Sequence, residues 1–234
     1  MSFSEVYRKT RKVPDIAFNM YVCRPVAAVV VDWVKDTRVT PNQITLSAVL
    51  VSAVASACIA LVPGYLGLLV GVLVFEASYV LDCADGMLAR WRGVSSPEGH
   101  LLDFLMDELK AFVLLAVVAY RLFAERNDER FLLLGLAGLV ALASGIALTT
   151  FVRRPEIQGP ERAPAKSPRG GALGLLEGGA KFVVHYPSYI WLAAALGRIE
   201  IYFFPYIFIN ALYAARMFLC VSVRFGRFAP RVTR

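Results

Sequence analysis

Residues 66–107 read LGLLVGVLVFEASYVLDCADGMLARWRGVSSPEGHLLDFLMD. The stretch begins as an apolar run long enough to cross a bilayer, which takes about 20 such residues. It ends in four aspartates, Asp82, Asp85, Asp103 and Asp107, on either side of a short polar turn. On a helix, residues three and four apart share a face. Asp82 and Asp85, with Gly86 and Ala89, therefore form one stripe, and Gly99, Asp103 and Asp107 form another. At a rise of about 1.5 Å per residue, the members of each aspartate pair stand roughly 4.5–6 Å apart along the axis. An ionised aspartate inside a span costs about 2.5–3.5 kcal/mol, so four uncompensated ones would cost on the order of 10 kcal/mol. Arg90 and Lys110 are too few to neutralise them. Helix-end acids solvated at the membrane surface would account for one or two of the four. A bound cation accounts for the set. Ligands that are all carboxylates, with only His100 and Cys83 nearby, suit Mg2+, Mn2+ or Ca2+ rather than zinc.

Outside this stretch the chain is equally apolar. Of 234 residues, 58% are hydrophobic and 18% charged, with a mean hydropathy of +0.58. A soluble domain is about 45–50% apolar and about 25% charged. A disordered chain, a collagen-like chain and a disulfide-stapled domain are excluded. The expected class is all-α, a polytopic membrane protein with six transmembrane helices at roughly 42–63, 66–90, 99–123, 131–152, 182–198 and 201–223. These fill a membrane domain over residues 40–225. Residues 1–39 precede it as a cytoplasmic segment with an amphipathic helix at Ile16–Val34, interrupted by Arg24-Pro25 and Asp32 and lying in the membrane interface. Residues 155–171 carry Pro155, Pro160, Pro164 and Pro168 among charges and are expected to be a non-helical loop in water. A basic tail, 226–234, follows the domain. No signal peptide is visible. Cys23, Cys58, Cys83 and Cys220 stand singly and read as small reduced hydrophobes.

The net charge of +7 resolves into orientation. With six spans and a cytoplasmic N-terminus, twenty of the Lys and Arg residues fall on the cytoplasmic side. Only Arg121, Arg126, Arg130 and Arg198 fall on the other. This bias puts both termini and the aspartate stripes in the cytoplasm. The basic residues follow topology and form no stripe with interleaved aromatics, so nucleic acid is not an expected partner.

In chain order the polar residues run Asp82-x2-Asp85-Gly86-x2-Ala89-Arg90-x8-Gly99-x3-Asp103-x3-Asp107. These eight positions over 26 residues resemble the signature of the CDP-alcohol phosphotransferase (CDP-alcohol phosphatidyltransferase) family. The opening Thr40-Pro41-Asn42-Gln43-Ile44-Thr45 supports the resemblance, which covers about residues 38–225 and is weakest over the C-terminal half. The resemblance implies transfer of a substituted phosphate from a CDP-alcohol to a hydroxyl acceptor with release of CMP. It also implies a six-helix membrane domain, commonly a homodimer, with a dinuclear Mg2+ or Mn2+ site. Carried over by residue, Asp82, Asp85 and Asp103 are the implied metal ligands. Asp107 is the implied general base and a contact to the second metal. Gly86, Ala89 and Arg90 are the implied nucleotide pocket, with Arg90 facing the pyrophosphate and Asn42 a further contact to the phosphates.

The chemistry asks for these residue types in its own right. A pyrophosphate beside carboxylates needs metal ions to bridge them, and a carboxylate one turn beyond the ligands can take a proton from an incoming hydroxyl. Gly99 either lets two helices approach or starts one. Glu76 is expected to pair with Lys110 or to make a polar interhelical contact, not to act in catalysis. His100 and His185 are candidates for the acceptor site, with interfacial solvation the plainer reading. Arg153, Arg154, Lys181 and Arg216 could hold an anionic acceptor such as a polyol phosphate, though topology explains them equally. Trp33, Trp91 and Trp191 fit interface anchors. The expected donor is CDP-diacylglycerol, in phospholipid synthesis. The alternatives are CDP-choline or CDP-ethanolamine with diacylglycerol as acceptor and, from another class, a divalent-cation channel or carrier.

Overall fold

The computed structural model describes residues 3–12, 15–158, 178–179 and 181–226. Among them are helices and no strand: α1 (Phe3–Thr10), α2 (Arg24–Val34), α3 (Pro41–Leu61), α4 (Gly64–Arg92), α5 (Pro97–Arg126), α6 (Arg130–Val152), α7 (Pro155–Gln158), α8 (Ile190–Ala195) and α9 (Glu200–Phe225). Four of them, α3, α4, α6 and α9, are long and apolar enough to cross a membrane. The 30 residues of α5 make about 45 Å of helix, but Asp103, Asp107, Glu108 and Lys110 dilute its apolar character. The protein is an integral membrane protein.

The helix boundaries follow local chemistry. Thr40 caps α3 in a capping box: its hydroxyl accepts from Gln43 N at 3.2 Å, and Gln43 Oε1 accepts from Thr40 N at 2.9 Å. Pro41 occupies the first helical position, where its missing N–H costs nothing. Ser96 caps α5 by accepting from Gly99 N at 3.0 Å. A Cβ on Gly99 would meet only that hydroxyl, at 3.4 Å, so Gly99 starts a helix and is not needed for helix approach. Gly93, at φ +66°, ends α4 in the left-handed region that glycine adopts without strain.

The helices α3 and α4 form a close antiparallel hairpin. A Cβ on Gly71 would fall 2.6 Å from Ile59 Cγ1 and 2.9 Å from Ile59 N. The turn between them is held by Arg121 of α5, which is only 3% exposed. Its guanidinium donates to the carbonyls of Ile59 (2.9 Å), Val62 (3.0 Å) and Gly64 (2.6 Å). These are the oxygens that the end of a helix and a tight turn leave without partners. Glu125 balances the charge at 2.6 Å.

The pair α6 and α9 runs parallel. Gly138 faces Ile207, Gly145 faces Tyr213 and Ala214, and Phe151 meets Phe225 at 5.5 Å. The chain therefore returns along the molecule between them, and the described residues 181–199 supply much of that return. Tyr186 packs on Phe75 of α4. Gly197 lies against Tyr65, whose hydroxyl donates to Ala195 O at 2.9 Å. Residues 186–197 thus track α4 from mid-helix to its N-terminal end.

Three expectations need correction. The stretch 182–198 is not one helix: residues 181–184 are helical, 185–189 turn, and α8 resumes at Ile190. Pro187 disfavours a helical conformation at Tyr186, and Ser188 closes the turn through its N–H to His185 O at 3.0 Å. Residues 155–158, read as loop, form the single turn α7, with Pro155 at its tolerated first position. The remainder of the 155–171 loop, beyond Gln158, and the tail beyond Gly226 lie outside the described residues. Nor does Arg24-Pro25 interrupt the N-terminal helix. The backbone widens into a π-helical turn at Asn19–Cys23, with Arg24 N–H bonded to Asn19 O. One extra residue in the turn accommodates the ring and the missing donor of Pro25. Arg24 is buried and pairs with Asp15, while Tyr21, Val22, Val26 and Trp33 face outward.

Candidate functional site

The C-terminal end of α4 and the first turns of α5 meet at one end of the bundle, on either side of residues 93–96. This brings Asp82, Asp85 and Asp103 together, each offering an oxygen within 4.8 Å of the others. Asp82 and Asp85 are buried and Asp103 half-buried. The Asp85 carboxylate accepts a hydrogen bond from Thr45 of α3, itself buried. Lys110 Nζ, 2% exposed, stands 2.6 Å from Asp82 Oδ1 and 3.0 Å from Asp107 Oδ1. The contact to Asp82 is ionic and not an aligned hydrogen bond, and it leaves Asp82 Oδ1 buried without a hydrogen-bond donor. Three clustered carboxylates, of which Asp82 alone pairs with Lys110, form an anionic hole. The orphaned oxygen and the all-carboxylate donor set fit a hard divalent cation.

Beside the triad opens a cleft of about 390 Å³ lined by Asn42, Thr45, Asp85, Gly86, Ala89, Arg92, His100 and Asp103, among others. That volume is within the usual range for a small-molecule site, about 300–1,000 Å³. Asn42 and Thr45 come from α3, Gly86 and Ala89 from α4, and His100 and Asp103 from α5. Arg92 shapes the rim. Its guanidinium donates to the carbonyls of Val34 (2.8 Å), Lys35 (3.0 Å), Thr37 (2.9 Å) and Val39, gathering the loop between α2 and α3.

Asp107 lies one turn beyond Asp103 and outside the triad. Its Oδ1 accepts from Tyr186 Oη at 2.7 Å and faces Lys110. Most of the residues expected from sequence are thus gathered at one end: Asp82, Asp85 and Asp103 in the triad, Asp107 adjoining it, and Gly86, Ala89 and Asn42 on the cleft wall. Arg90 is turned toward α1, where its Nε donates to Thr10 O at 2.7 Å. A Cβ on Gly86 would still come within 3.3 Å of its Nη1, so the two residues are neighbours. Lys110 pairs with Asp82 and Asp107, not with Glu76, whose two oxygens are buried without partners. Sequence reasoning did not assign Thr45, Arg92 or Tyr186. Thr45 had a signal, since it falls three residues after Asn42 on the same helical face. Tyr186 had none, because its partner is 79 residues away.

The sequence model of the CDP-alcohol phosphatidyltransferase family matches residues 38–222. The chain belongs to the CDP-alcohol phosphatidyltransferase family. As a member of that family it is a membrane transferase of substituted phosphate groups that uses a CDP-alcohol donor in phospholipid synthesis. It is also similar to the archaetidylinositol phosphate synthase of Methanothermobacter thermautotrophicus. The two are 29% identical over 194 residues, which cover 79% of this chain and 92% of that one. CDP-alcohol phosphatidyltransferase membership, together with a cleft at one end of the bundle, sets aside the cation-channel alternative.

Proposed function

We propose that this enzyme transfers a phosphatidyl-type group from CDP-diacylglycerol, or a lipid donor of that class, to a hydroxyl of a phosphorylated inositol. The observation that carries the reading is the adjacency of the carboxylate triad, the nucleotide-sized cleft and Asp107 at one end of the bundle. The acceptor class rests on the similarity to an archaetidylinositol phosphate synthase. The basic set Arg153, Arg154, Lys181 and Arg216 suits a phosphorylated acceptor.

In this mechanism Asp82, Asp85 and Asp103 would hold Mg2+ or Mn2+ in a dinuclear site, and Asp107 adjoins it as the base. Bound metal supplies charge stabilisation to the phosphoryl oxygens as the bridging P–O bond to CMP breaks. Asn42, Gly86 and Ala89 receive the cytidine and its phosphates, the two small residues leaving room for close approach. The acceptor oxygen bonds to the lipid-side phosphorus, CMP departs, and the acceptor proton passes to Asp107. Lys110 Nζ, 3.0 Å from Asp107 Oδ1, places a positive charge beside the base.

The same proposal includes six membrane passes. The parallel α6–α9 pair supports a returning pass between them, and the length of α5 supports the remaining one. The distribution of Lys and Arg supports a cytoplasmic site and termini. The outward apolar face of residues 21–33 supports an interfacial position for the N-terminal helix. Homodimer formation rests on the family resemblance. The test is CMP release by purified protein with Mn2+ or Mg2+, crossing CDP-diacylglycerol and CDP-choline with inositol 1-phosphate, inositol, glycerol 3-phosphate and diacylglycerol. Release is expected with CDP-diacylglycerol and inositol 1-phosphate, and Asp107→Asn should abolish it while retaining metal-dependent CMP binding. Release with CDP-choline and diacylglycerol alone would overturn the donor assignment.

A further inference from the structure

We infer that Tyr186 is the positioning residue for the Asp107 carboxylate, and that the N-terminal segment locks it in place; the inference rests on the reading of Asp107 as general base. Two groups converge on one oxygen of Asp107. Tyr186 Oη donates to Oδ1 at 2.7 Å, and Lys110 Nζ faces the same atom at 3.0 Å. Anchoring Oδ1 fixes the carboxylate plane and directs Oδ2 as the proton acceptor. A base must be held to within a fraction of an ångström to act in the transition state.

The tyrosine is held rigidly. Its ring meets Phe75 and Tyr79 edge-on, at centroid distances of 5.8 and 5.9 Å, and it stacks with His185. The turn that carries it is pinned by a chain of hydrogen bonds running in one direction. Asn19 Nδ2 donates to Asp15 Oδ1 at 3.3 Å, and Tyr79 Oη donates to Asn19 Oδ1 at 2.9 Å. With the Tyr79 proton used, His185 Nε2 donates to Tyr79 Oη at 2.7 Å, and His185 Nδ1 accepts from Ser188 Oγ at 2.6 Å. The arrangement specifies the Nε2–H tautomer. Asp15 and Asn19 precede residue 38, where the family match begins. The N-terminal segment is therefore a buttress of the active site as well as a membrane contact.

The test is Tyr186→Phe in the full-length enzyme, which removes one hydroxyl and keeps every ring contact. Activity is read as CMP release from CDP-diacylglycerol with inositol 1-phosphate and Mn2+, per site counted by CMP binding. The expected result is a fall in kcat of about tenfold or more, from loss of one hydrogen bond to a charged group. The donor KM should stay within about twofold, because ground-state donor binding does not use the hydroxyl. Tyr79→Phe, which breaks the chain at Asn19 and His185, should lower kcat in the same sense by a smaller factor. A kcat within about twofold of the parent for Tyr186→Phe, while Asp107→Asn is inactive, would overturn the positioning role and leave the base intact. A fall in CMP binding matching the fall in total rate would also overturn it, since that marks a folding defect. Turnover by Asp107→Asn would overturn the base reading, and this inference with it.

Discussion

Replacing Thr45 by Val tests whether the triad is a metal site. The two side chains have nearly the same shape, so the substitution exchanges a hydroxyl for a methyl and removes the hydrogen bond to Asp85. That bond is buried, with Thr45 and Asp85 both about 4% exposed, and its acceptor is a carboxylate. A hydrogen bond to a charged group contributes about 1.5–3 kcal/mol. If Thr45 orients Asp85 toward a cation, the loss appears as weaker metal activation by about 10- to 100-fold, the range for partners behind a metal ligand. The assay is CMP release as a function of Mn2+ concentration. The Thr45→Val curve should shift to higher Mn2+ and regain most of its maximal rate at saturation, whereas Thr45→Ser should stay near the parent. An unchanged half-saturating Mn2+ concentration in Thr45→Val would refute the assignment of Asp85 as a ligand supported from α3. A lower maximal rate at unchanged metal affinity would instead place the hydroxyl on the donor side of the cleft.

Two further expectations concern the scaffold. Arg121→Met keeps the aliphatic stem but strips three carbonyls of their donor, and should destabilise the protein by about 3 kcal/mol or more. A thermal unfolding midpoint in detergent equal to the parent's would count against the role of Arg121 in closing the α3–α4 turn. At a permissive temperature its kcat should be unchanged, because the turn lies at the opposite end of α4 from the triad. Gly71→Ala places a methyl against the backbone of Ile59 and should cost about 1–3 kcal/mol by overpacking. It should also raise the Mn2+ requirement, since prying α3 from α4 moves Thr45 off Asp85. Unaltered melting and metal dependence would show that the hairpin is looser than the 2.9 Å approach to Ile59 N implies.

The site is unusually readable from sequence where its residues share a helical face. Asp82, Asp85 and Asp103 obey the helical period on two consecutive helices joined by a short turn, so spacing alone brings them together. Prediction stopped where geometry depends on one extra residue or on distant partners. A π-helical turn at Asn19–Cys23 is invisible to a search for a 3.6-residue period, and so Arg24-Pro25 reads as a break. The stretch 182–198 is apolar enough to suggest an unbroken span, and Pro187 is the residue that argues otherwise. Lys110 could be matched by distance along the chain with several acids, and only packing selects Asp82 and Asp107 over Glu76. Arg90 sits in the signature, yet its orientation depends on the Thr10 carbonyl from the other end of the N-terminal segment.

The hydrogen bond from Tyr186 to Asp107 joins two parts of the chain that are far apart in sequence. The triad and the adjoining cleft are supplied by residues 40–103, a contiguous portion synthesised early. The hydroxyl that bonds Asp107 arrives from residue 186, across the connection that separates α6 from α9. The carboxylate cluster and the tyrosine that bonds it are thus written in different parts of the chain and joined at Asp107. Exchanging the later part between relatives therefore changes how Asp107 is held while every residue of the triad and the cleft stays in place.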